Sequence, residues 1–515
     1  MYTLGDIPRK SALLFPDKLA TVFEDVRLTY RGLNNRVNRF ANSLTKMGYQ
    51  KGERLTILAE NTHKYLEVYF AAAKLGMSIT PINFRLSDAE IEHIVIDSEA
   101  VCFLAADGYE KRVWGLKESL PAIRDWITLD NPSEGYHFYE ILLQEGSVEE
   151  PTVDVDENEM VILMYTGGTT GQPKGVMMSH RNIMTAVIGS TIDFGFTRDE
   201  VTCFILPLFH VSFWPALCVL MVGGKVVINR KPDLNGILQL IQNEKCTHIN
   251  AVPTIYMWLL QNADMDGYDL SSLRSICYAG SPFPPEILKQ YINRFGNIFF
   301  GAYGMTEALG ATGLKKDDHV LKGEKSRLLT SAGKAALCAQ VRVVDEDGRP
   351  IKTGQTGEIA IKGKHVMMGY WKNPELTDKT IRNGWYHTGD MGYMDEEEYL
   401  FLVDRKADMI VTGGENVYPK EIEDVLYEHN AVSMAAVVSA PDEKWGERIQ
   451  AAVVLMPNQT VDEKELIDHC KERLAGYKCP KLIEFWDELP TTPIGKVLRK
   501  DVKKKFWKNH DRSIG

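Results

Sequence analysis

The sequence lacks the cysteine and charge patterns of a disulfide-stabilised, zinc-binding or nucleic-acid-binding protein. Its eight cysteines are scattered, with no C-x-x-C pair and no zinc-like spacing with histidine, so we predict reduced thiols. The formal net charge of −11 leaves no excess of cations to displace the counterions of a nucleic acid. A nucleic-acid partner is therefore not predicted, and any nucleotide that binds is expected to be small.

Long uninterrupted hydrophobic runs are also missing, which argues against a transmembrane segment. Residues 204–222 come nearest, but they include Pro207, His210 and Pro215 and are better explained as a buried strand that turns into a buried helix. The first ten residues, MYTLGDIPRK, lack the apolar region of a secretory signal. The expected location is therefore cytoplasmic.

One cluster of basic residues stands out near the carboxyl end. It consists of Lys500, Lys503, Lys504, Lys505 and Lys508. So few lysines bind an anionic membrane only weakly, and a solvated helix end is favoured over a membrane patch. Peripheral membrane contact stays open, as does the oligomeric state, with a homodimer among the states allowed.

The length of 515 residues exceeds the roughly 250–300 residues at which a single hydrophobic core stops growing, so two or more domains are expected. The early part of the chain alternates helix and strand, for instance 33–47 followed by 54–59. Short apolar runs at 160–165, 225–229, 248–252 and 275–279 then end in loops rich in Gly, Pro, Ser or Thr. In an open α/β sheet, such loops form the edge where ligands bind.

The predicted secondary-structure pattern changes twice after this α/β part. Short strands and turns over 345–369 predict a small β-rich subdomain. After Asp404 a compact pattern restarts, with helices over 419–429 and 462–474 and strands over 433–439 and 448–455. The predicted fold is therefore α/β: a large amino-terminal domain of packed α/β sheets (1–404) with a β-rich subdomain, and a small α+β carboxyl-terminal domain (405–515).

The most informative stretch is residues 165–175, YTGGTTGQPKG, which directly follows the apolar strand MVILM. Three glycines, three threonines and one lysine can surround an oxyanion with backbone N–H groups, hydroxyls and a positive charge. These residues are Thr166, Gly167, Gly168, Thr169, Thr170, Gly171 and Lys174. A phosphate cradle is favoured over a mobile surface loop. It is not a Walker P-loop, because Pro173 precedes the lysine and Gly175 follows it.

This stretch resembles the signature [YF]-T-S-G-[ST]-T-G-x-P-K-G of the adenylate-forming superfamily, which contains acyl-CoA synthetases, firefly luciferase and nonribosomal peptide adenylation domains. The one departure, Gly167 in place of serine, removes a hydroxyl and keeps the backbone donors. Further matches follow in the order that the family shows, over residues 28–499. They are AGSPF (279–283), YGMTE (303–307), WYHTGD (385–390), DRKADMI (404–410) and PTTPIGKVLR (490–499).

The resemblance implies a nucleotide site. Tyr303 is expected to stack on adenine, Thr306 to contact the α-phosphate and Glu307 to hold Mg²⁺, for which a carboxylate is a suitable hard ligand. Asp390 would bind the ribose, with Arg405 as its partner at the interdomain joint. The remaining nucleotide contacts are expected from Gly280, Ser281, Pro282, Ala302, Gly304 and Met305. Taken alone, YGMTE could equally begin a helix with Thr306 as its cap.

The resemblance also implies a moving domain. Lys496 would contact the reacting carboxylate and the α-phosphate, and the carboxyl-terminal domain would then swing to present a segment to coenzyme A. That segment is Gly413, Gly414 and Glu415. At the hinge, Ala407 stands where the family often has Lys or Asp, so Lys406 and Asp408 stay open as alternatives.

The predicted activity is that of an AMP-forming acid–CoA ligase with ATP, Mg²⁺ and coenzyme A as cofactor and co-substrates. His210 stands where amino-acid-activating relatives place an aspartate, and it is expected to close the pocket beside the acyl carbonyl. A wall of Phe213, Trp214 and Met305 would suit an apolar or aryl acid, including a fatty acid. A relative that loads a carrier protein or oxidises its acyl-adenylate, and a non-catalytic nucleotide-binding protein, are the alternatives.

Overall fold

The computed structural model describes residues 2–166, 173–231, 233–405, 408–412, 415–442, 446–492 and 496–507. The α-helices are α1 (Asp6–Leu14), α2 (Tyr30–Lys46), α3 (His63–Lys74), α4 (Asp88–Ser98), α5 (Glu110–Trp114), α6 (Tyr139–Glu145), α7 (His180–Phe194), α8 (Trp214–Met221), α9 (Leu234–Glu244), α10 (Pro253–Asn262), α11 (Pro285–Phe295), α12 (Pro374–Thr380), α13 (Pro419–Tyr427), α14 (Glu463–Lys471) and α15 (Arg499–Trp507).

The strands are β1 (Leu19–Phe23), β2 (Val26–Thr29), β3 (Arg54–Leu58), β4 (Ser78–Ile82), β5 (Cys102–Ala105), β6 (Asp125–Thr128), β7 (His137–Phe138), β8 (Met160–Thr166), β9 (Lys174–Ser179), β10 (Val201–Phe204), β11 (Lys225–Ile228), β12 (His248–Ala251), β13 (Ser275–Ala279), β14 (Phe299–Met305), β15 (Ala308–Leu314), β16 (Lys334–Ala335), β17 (Gln340–Val344), β18 (Gly357–Lys362), β19 (Gly369–Tyr370), β20 (Ile381–Arg382), β21 (Trp385–Met394), β22 (Leu400–Arg405), β23 (Ile410–Thr412), β24 (Glu415–Val417), β25 (Val432–Asp442), β26 (Gly446–Leu455) and β27 (Leu482–Phe485).

Two large sheets form the amino-terminal part of the molecule. One has the strand order β16-β15-β14-β13-β12-β10-β11-β1-β2 and the other β19-β9-β8-β4-β3-β5-β6-β7. Helices α3 and α7 each contact strands of both sheets and therefore lie between them. Every residue of α3 is buried, as expected for a helix that is covered on all sides.

Helix α7 has well-defined ends, which matters because it lines the cavity described below. A reciprocal capping box between Ser179 and Asn182 starts it, each side chain accepting the other residue's backbone N–H. Gly195, with a φ of +68°, ends it in the left-handed conformation that glycine adopts without strain.

The β-rich subdomain is confirmed and is larger than predicted. Strands β17, β18, β21 and β20 form an antiparallel sheet, with β22 paired to β21. It covers residues 340–405 rather than 345–369, because β21 returns to pair with β18 and β22 pairs in turn with β21, and turn signals alone do not reveal these pairings.

The carboxyl-terminal elements also match the prediction closely. Strands β24, β23, β26 and β25 form a sheet, with β27 added to β26. Helices α13 and α14 pack against it over a separate hydrophobic core that contains Ile410, Ile422, Val437 and Leu466. Asp462 caps α14 as its side chain accepts the Glu465 N–H.

The hydrophobic stretch 204–222 is confirmed as a buried strand end and a buried helix, β10 followed by α8. Among the helices that the structure describes, none is long and apolar enough to cross a membrane. All eight cysteines are free, and seven of them are buried.

Candidate active site

The predicted phosphate cradle is flanked by two antiparallel strands, β8 and β9. Thr166 closes β8 and lies opposite Lys174, the first residue of β9, in the antiparallel register. Gly167, Gly168, Thr169, Thr170 and Gly171 lie outside the described residues. The apolar strand therefore leads into a second strand of the same sheet, and the helix, α7, follows only after β9.

The prediction that the site strands share one sheet edge is wrong. Strand β8 belongs to the eight-stranded sheet, whereas β11, β12 and β13 belong to the nine-stranded sheet. The runs have the same local character in both sheets, and only long-range pairing separates them. The candidate site thus lies where elements of two sheets meet.

Residues 303–307 join two strands of the nine-stranded sheet. These strands, β14 and β15, are antiparallel, and Tyr303 is paired with Thr312. A bulge separates this pair from the next one, Met305 and Ala308. A Cβ placed on Gly304 would lie 2.7 Å from the Gly310 nitrogen, so the two backbones need glycine to pack this closely. Thr306 is buried in the turn, and the alternative interpretation as a helix start is wrong.

The predicted adenine loop starts beside this segment. Strand β13 runs parallel to β14, with Ala279 paired to Ala302. Gly280 follows with a φ of +85°, which an L side chain rarely adopts, and Ser281 and Pro282 continue the turn. Gly280 and Ala302 are therefore neighbours at the same sheet edge, as a shared nucleotide site requires.

Glu307 lies in a polar corner that contains a tyrosine and a lysine. The Tyr370 hydroxyl donates a hydrogen bond of 2.9 Å to Glu307 Oε1. Lys174 Nζ lies 5.8 Å from the centroid of the Tyr370 ring. Burial raises the pKa of Glu307, while its hydrogen bond from Tyr370 and the charge of Lys174 oppose that rise.

This corner fits one magnesium ion held jointly with phosphate. Among the described residues, no group of three His, Cys, Asp or Glu side chains could hold a metal ion. Mg²⁺ is commonly bound by one or two carboxylates together with substrate phosphates. Glu307, one carboxylate close to Lys174, matches that donor set, and the ion would neutralise phosphate charge there.

Asp390 lies between Tyr303 and Arg405. The Tyr303 hydroxyl donates a hydrogen bond of 2.7 Å to Asp390 Oδ2. Arg405 Nε lies 3.5 Å from Asp390 Oδ1, and the two residues are paired across β21 and β22. Burial raises the pKa of Asp390, and the Arg405 charge is the largest effect that opposes it.

Lys496 lies within electrostatic reach of Asp390 and Arg405, although it is separated from Thr166 by more than 300 residues of chain. Burial lowers the pKa of Lys496 to about 8, and the charge of Arg405 lowers it further whereas that of Asp390 raises it. Burial also lowers the pKa of His210 to about 4, with a smaller contribution from the charge of Lys496. The structure therefore brings Lys496, His210, Asp390 and Arg405 within electrostatic reach of one another.

Of the predicted coenzyme A segment, Glu415 is the one residue that the structure describes. Glu415 begins β24, which forms a hairpin with β23, and Gly413 and Gly414 lie outside the described residues. At the hinge, Lys406 and Ala407 also lie outside them. Asp408 Oδ2 lies 3.5 Å from Arg499 Nη1, which links it to a network of charges at the domain joint.

Two contributors to the site were not predicted. Tyr370 contacts Glu307, and Thr388 Oγ1 accepts the Asp390 backbone N–H at 3.0 Å. Thr388 lies inside the WYHTGD motif, so its proximity to Asp390 could have marked it. Tyr370 is placed by pairing with Val176 of β9, and no local signal reveals that pairing.

Comparisons with known proteins agree with this geometry. The AMP-binding enzyme family model matches residues 9–371, and the AMP-binding enzyme C-terminal domain model matches residues 421–496. A feruloyl-CoA synthase of an Amycolatopsis species is 35% identical over 98% of this chain and 99% of its own length. A long-chain-fatty-acid–CoA ligase of Mycobacterium tuberculosis is 34% identical over 98% of this chain and 99% of its own length.

A solved structure has a similar overall fold. The o-succinylbenzoate CoA synthetase of Bacillus subtilis, in complex with an acyl-adenylate intermediate, aligns with a TM-score of 0.84 and 31% identity. The alignment covers 96% of this chain and 97% of that one.

The chain therefore belongs to the AMP-binding enzyme family of adenylate-forming enzymes. Within that family it is an AMP-forming acid–CoA ligase that uses ATP, Mg²⁺ and coenzyme A.

Proposed function

We propose that the protein activates an apolar or aryl carboxylic acid as its acyl-adenylate and then transfers the acyl group to coenzyme A. The observation that carries this proposal is the placement of Lys496 from the carboxyl-terminal domain near Asp390 and His210 of the large domain and near Arg405 at the interdomain joint. Relatives named for feruloyl, fatty-acyl and succinylbenzoate groups support an apolar or aryl acid as the substrate class. They differ in the individual acid. The proposal includes a role in fatty acid or lipid metabolism, which the fatty-acid–CoA ligase relative supports.

The first half-reaction joins two anions, so the site must neutralise their charge as well as orient the two reactants. The carboxylate oxygen attacks the α-phosphorus of ATP, and pyrophosphate leaves with the electron pair of the broken P–O bond. In our proposal Thr166, Lys174 and the loop between them hold the phosphates, and Thr306 contacts the α-phosphate. Lys496 covers the phosphorus where charge develops, and Glu307 would hold Mg²⁺ against the phosphate oxygens.

The ribose and adenine ends of ATP are assigned to the other half of the site. Asp390 is proposed to accept hydrogen bonds from the ribose hydroxyls, with Arg405 beside it. Tyr303 would stack on adenine, since its hydroxyl already points to Asp390 at 2.7 Å and fixes the ring. The backbone at Gly280 and Ala302 would border the base.

His210 is proposed to close the acyl end of the site. Its imidazole Nδ1 accepts the Ser212 N–H at 3.2 Å, which fixes the ring at the start of the turn into α8. Because its pKa is lowered to about 4, His210 is neutral near pH 7 and adds no second positive charge beside Lys496. Of the three residues predicted for the acyl wall, only Trp214 lines the cavity next to this site.

The second half-reaction requires Lys496 to leave the acyl carbon. We propose that the boundary near Asp404 separates domain 1–404 from a mobile domain 405–515, and that the segment at Gly413, Gly414 and Glu415 then faces coenzyme A. The separate hydrophobic core of the small domain supports this division. The thiolate sulfur would attack the acyl carbon, and AMP would leave with its phosphate oxygen. A cytoplasmic location is also proposed, supported by eight free cysteines.

Two assays test the proposal against its alternatives. Acid-dependent exchange of labelled pyrophosphate into ATP, measured without coenzyme A, reports adenylation. Thioester formation after addition of coenzyme A then separates a CoA ligase from a relative that loads a carrier or oxidises its adenylate. An acid panel of acetate, butyrate, octanoate, palmitate, benzoate and cinnamate should include active substrates. Absence of exchange with a broader set of apolar and aryl acids would contradict the proposal.

A further inference from the structure

A cavity of about 390 Å³ lies between α7 and the strands β14 and β15. This volume is near the lower end of the about 300–1,000 Å³ typical of small-molecule pockets. Its inner end is formed by Ser190, Trp214 and Gly310. The Trp214 indole donates a hydrogen bond of 3.2 Å to Ser190 Oγ, and a Cβ on Gly310 would lie 3.2 Å from the same oxygen.

The inner end of this cavity borders the nucleotide site. Gly310 packs against Gly304, which lies within the YGMTE segment. Ala302 lines the cavity and immediately precedes Tyr303 along β14. Trp214 follows His210 after a single short turn. The tail of an acid whose carboxylate reacts at Lys496 therefore has this cavity next to it.

The outer end of the cavity is polar, in contrast to its inner end. Two of its carboxylates already have partners. Asp193 accepts the Leu337 N–H at 3.0 Å and lies 3.6 Å from Lys315 Nζ, and Asp318 accepts the Tyr399 hydroxyl at 2.6 Å. The carboxylate of Asp317 is exposed.

Lys334 differs from the other cation of this rim. Its Nζ lies 4.4 Å from the centroid of the Tyr399 ring, and no carboxylate of the described chain forms an ion pair with it. The aromatic ring supports the side chain without using its N–H groups. A lysine ammonium has three donors, so Lys334 keeps donors for a ligand at the cavity rim.

We infer that this cavity selects an aryl or short-chain acid that carries an oxygen acceptor at the end remote from its reacting carboxylate. The inference rests on the proposed function and names the substrate class of that site. Lys334 is the specificity-determining residue: its ammonium donates to a hydroxyl, methoxy or carboxylate oxygen of the acid tail. A charge-assisted hydrogen bond of this kind rewards the oxygenated acid and not its hydrocarbon analogue.

A long unbranched alkyl chain fits this cavity poorly. Its terminal methylene groups would meet Lys334, Asp193 and Asp318 instead of an apolar wall. Methylene groups placed beside charged groups gain little from burial, and the charged groups lose water without a partner in exchange. Octanoate and palmitate are therefore expected to be weaker substrates than oxygenated aryl acids.

The test compares three aryl acids that differ only at the tail, together with two alkyl acids. Pyrophosphate exchange is measured with the full-length wild-type protein for cinnamate, para-hydroxycinnamate, para-carboxycinnamate, octanoate and palmitate. The two oxygenated acids distinguish a neutral acceptor from an anionic one. We expect kcat/KM for at least one of them to exceed that for cinnamate by about tenfold or more.

Three variants assign that preference to Lys334. Lys334→Met keeps the apolar stem and should reduce the ratio of oxygenated acid to cinnamate by about tenfold, whereas Lys334→Arg keeps donors and should retain most of it. Lys362→Met is the matched control, because Lys362 is also exposed over an aromatic ring, that of Trp385 at 5.7 Å, and lies outside the cavity. Its ratio should equal that of the wild type.

The outcomes separate this inference from the proposed function. A preference of the wild type for octanoate or palmitate, or an unchanged ratio in Lys334→Met, overturns the inference while exchange itself continues. Absence of exchange with these and with all other acids overturns the proposed function instead.

Discussion

The charged side chains of the candidate site lie close enough to shift one another's pKa values. Lys496 is surrounded by Arg405, which disfavours its charge, and by Asp390, which favours it. Burial is the largest effect and lowers the pKa of Lys496 to about 8. The ammonium that the proposed role in adenylation requires is therefore fully present only at pH values below that pKa.

A pH dependence follows from this lysine. Since a lysine is cationic below its pKa and neutral above it, kcat/KM for pyrophosphate exchange should fall as the pH rises through about 8. Arginine stays charged over the whole range, so Lys496→Arg should show no such fall, whatever its absolute rate. An equal fall in both proteins would mean that another group titrates.

Tyr370 provides a second test at the scale of one residue. Tyr370→Phe removes the hydrogen bond of 2.9 Å to Glu307, so the Mg²⁺ concentration for half-maximal exchange should rise by about tenfold. Titration with Mg²⁺ at saturating ATP measures it. Tyr49→Phe is the matched control, because it removes a 2.7 Å hydrogen bond to Asp125, a residue of β6 outside the candidate site. Equal Mg²⁺ requirements in the two variants would contradict the role of Tyr370.

Most of the described site residues could be predicted from local sequence, because the motifs that contain them are short and stand in a fixed order. Tyr370 could not. Its position beside Lys174 and Glu307 depends on the pairing of β19 with β9, which joins residues almost 200 positions apart. Lys496 was predicted only through its motif, since an isolated Gly-Lys pair is usually a solvated charge.

At the scale of secondary structure, local patterns located strands and helices well and sheet membership poorly. The run 275–279 is observed as β13 with the predicted bounds, and α13 and α14 end within three residues of prediction. The assignment of β8 and β13 to different sheets depends on which distant strands pair. Hydrophobic periodicity indicates which side chains are buried, but it does not indicate which strands pair, so it cannot assign β8 and β13 to their sheets.

The joint between the two domains is stabilised by Arg499, the first residue of α15. Its Nη1 lies 2.7 Å from Asp404 Oδ1, and its Nε lies 2.9 Å from Glu423 Oε1 on α13. Asp404 also accepts the Lys420 backbone N–H at 2.8 Å. One guanidinium thus connects the end of β22 with two helices of the small domain.

Removal of that guanidinium should be costly. Arg499→Met leaves buried carboxylates without their partner, which is expected to reduce the free energy of unfolding of the small domain by about 3 kcal/mol or more. Hydrogen exchange in increasing urea, followed at the backbone amides of α13, α14 and β25, measures it. Arg473→Met removes the more exposed contact with Glu428 and should cost less than about 1 kcal/mol. Equal losses in the two variants would contradict the role of Arg499.

For the whole molecule, the central feature of the proposal is that a lysine from the carboxyl-terminal domain completes a site built by the amino-terminal domain. The two-domain division is a prediction from length and from the change of pattern after Asp404. The placement of Lys496 near His210 and Asp390 was implied only by the family resemblance, because it is determined by how one folded unit packs on the other.

The most direct test of this account is pyrophosphate exchange by Lys496→Ala, with ATP affinity measured separately by calorimetry. A charge pair at about 4 Å is worth roughly 4 kcal/mol at an effective dielectric constant of 20, so exchange should slow by several hundred-fold while ATP binding changes little. Lys464→Ala, which removes an exposed lysine of the same domain, should exchange at the parent rate. If Lys496→Ala adenylates its acid as fast as the parent protein, the proposed role of Lys496 in adenylation is wrong.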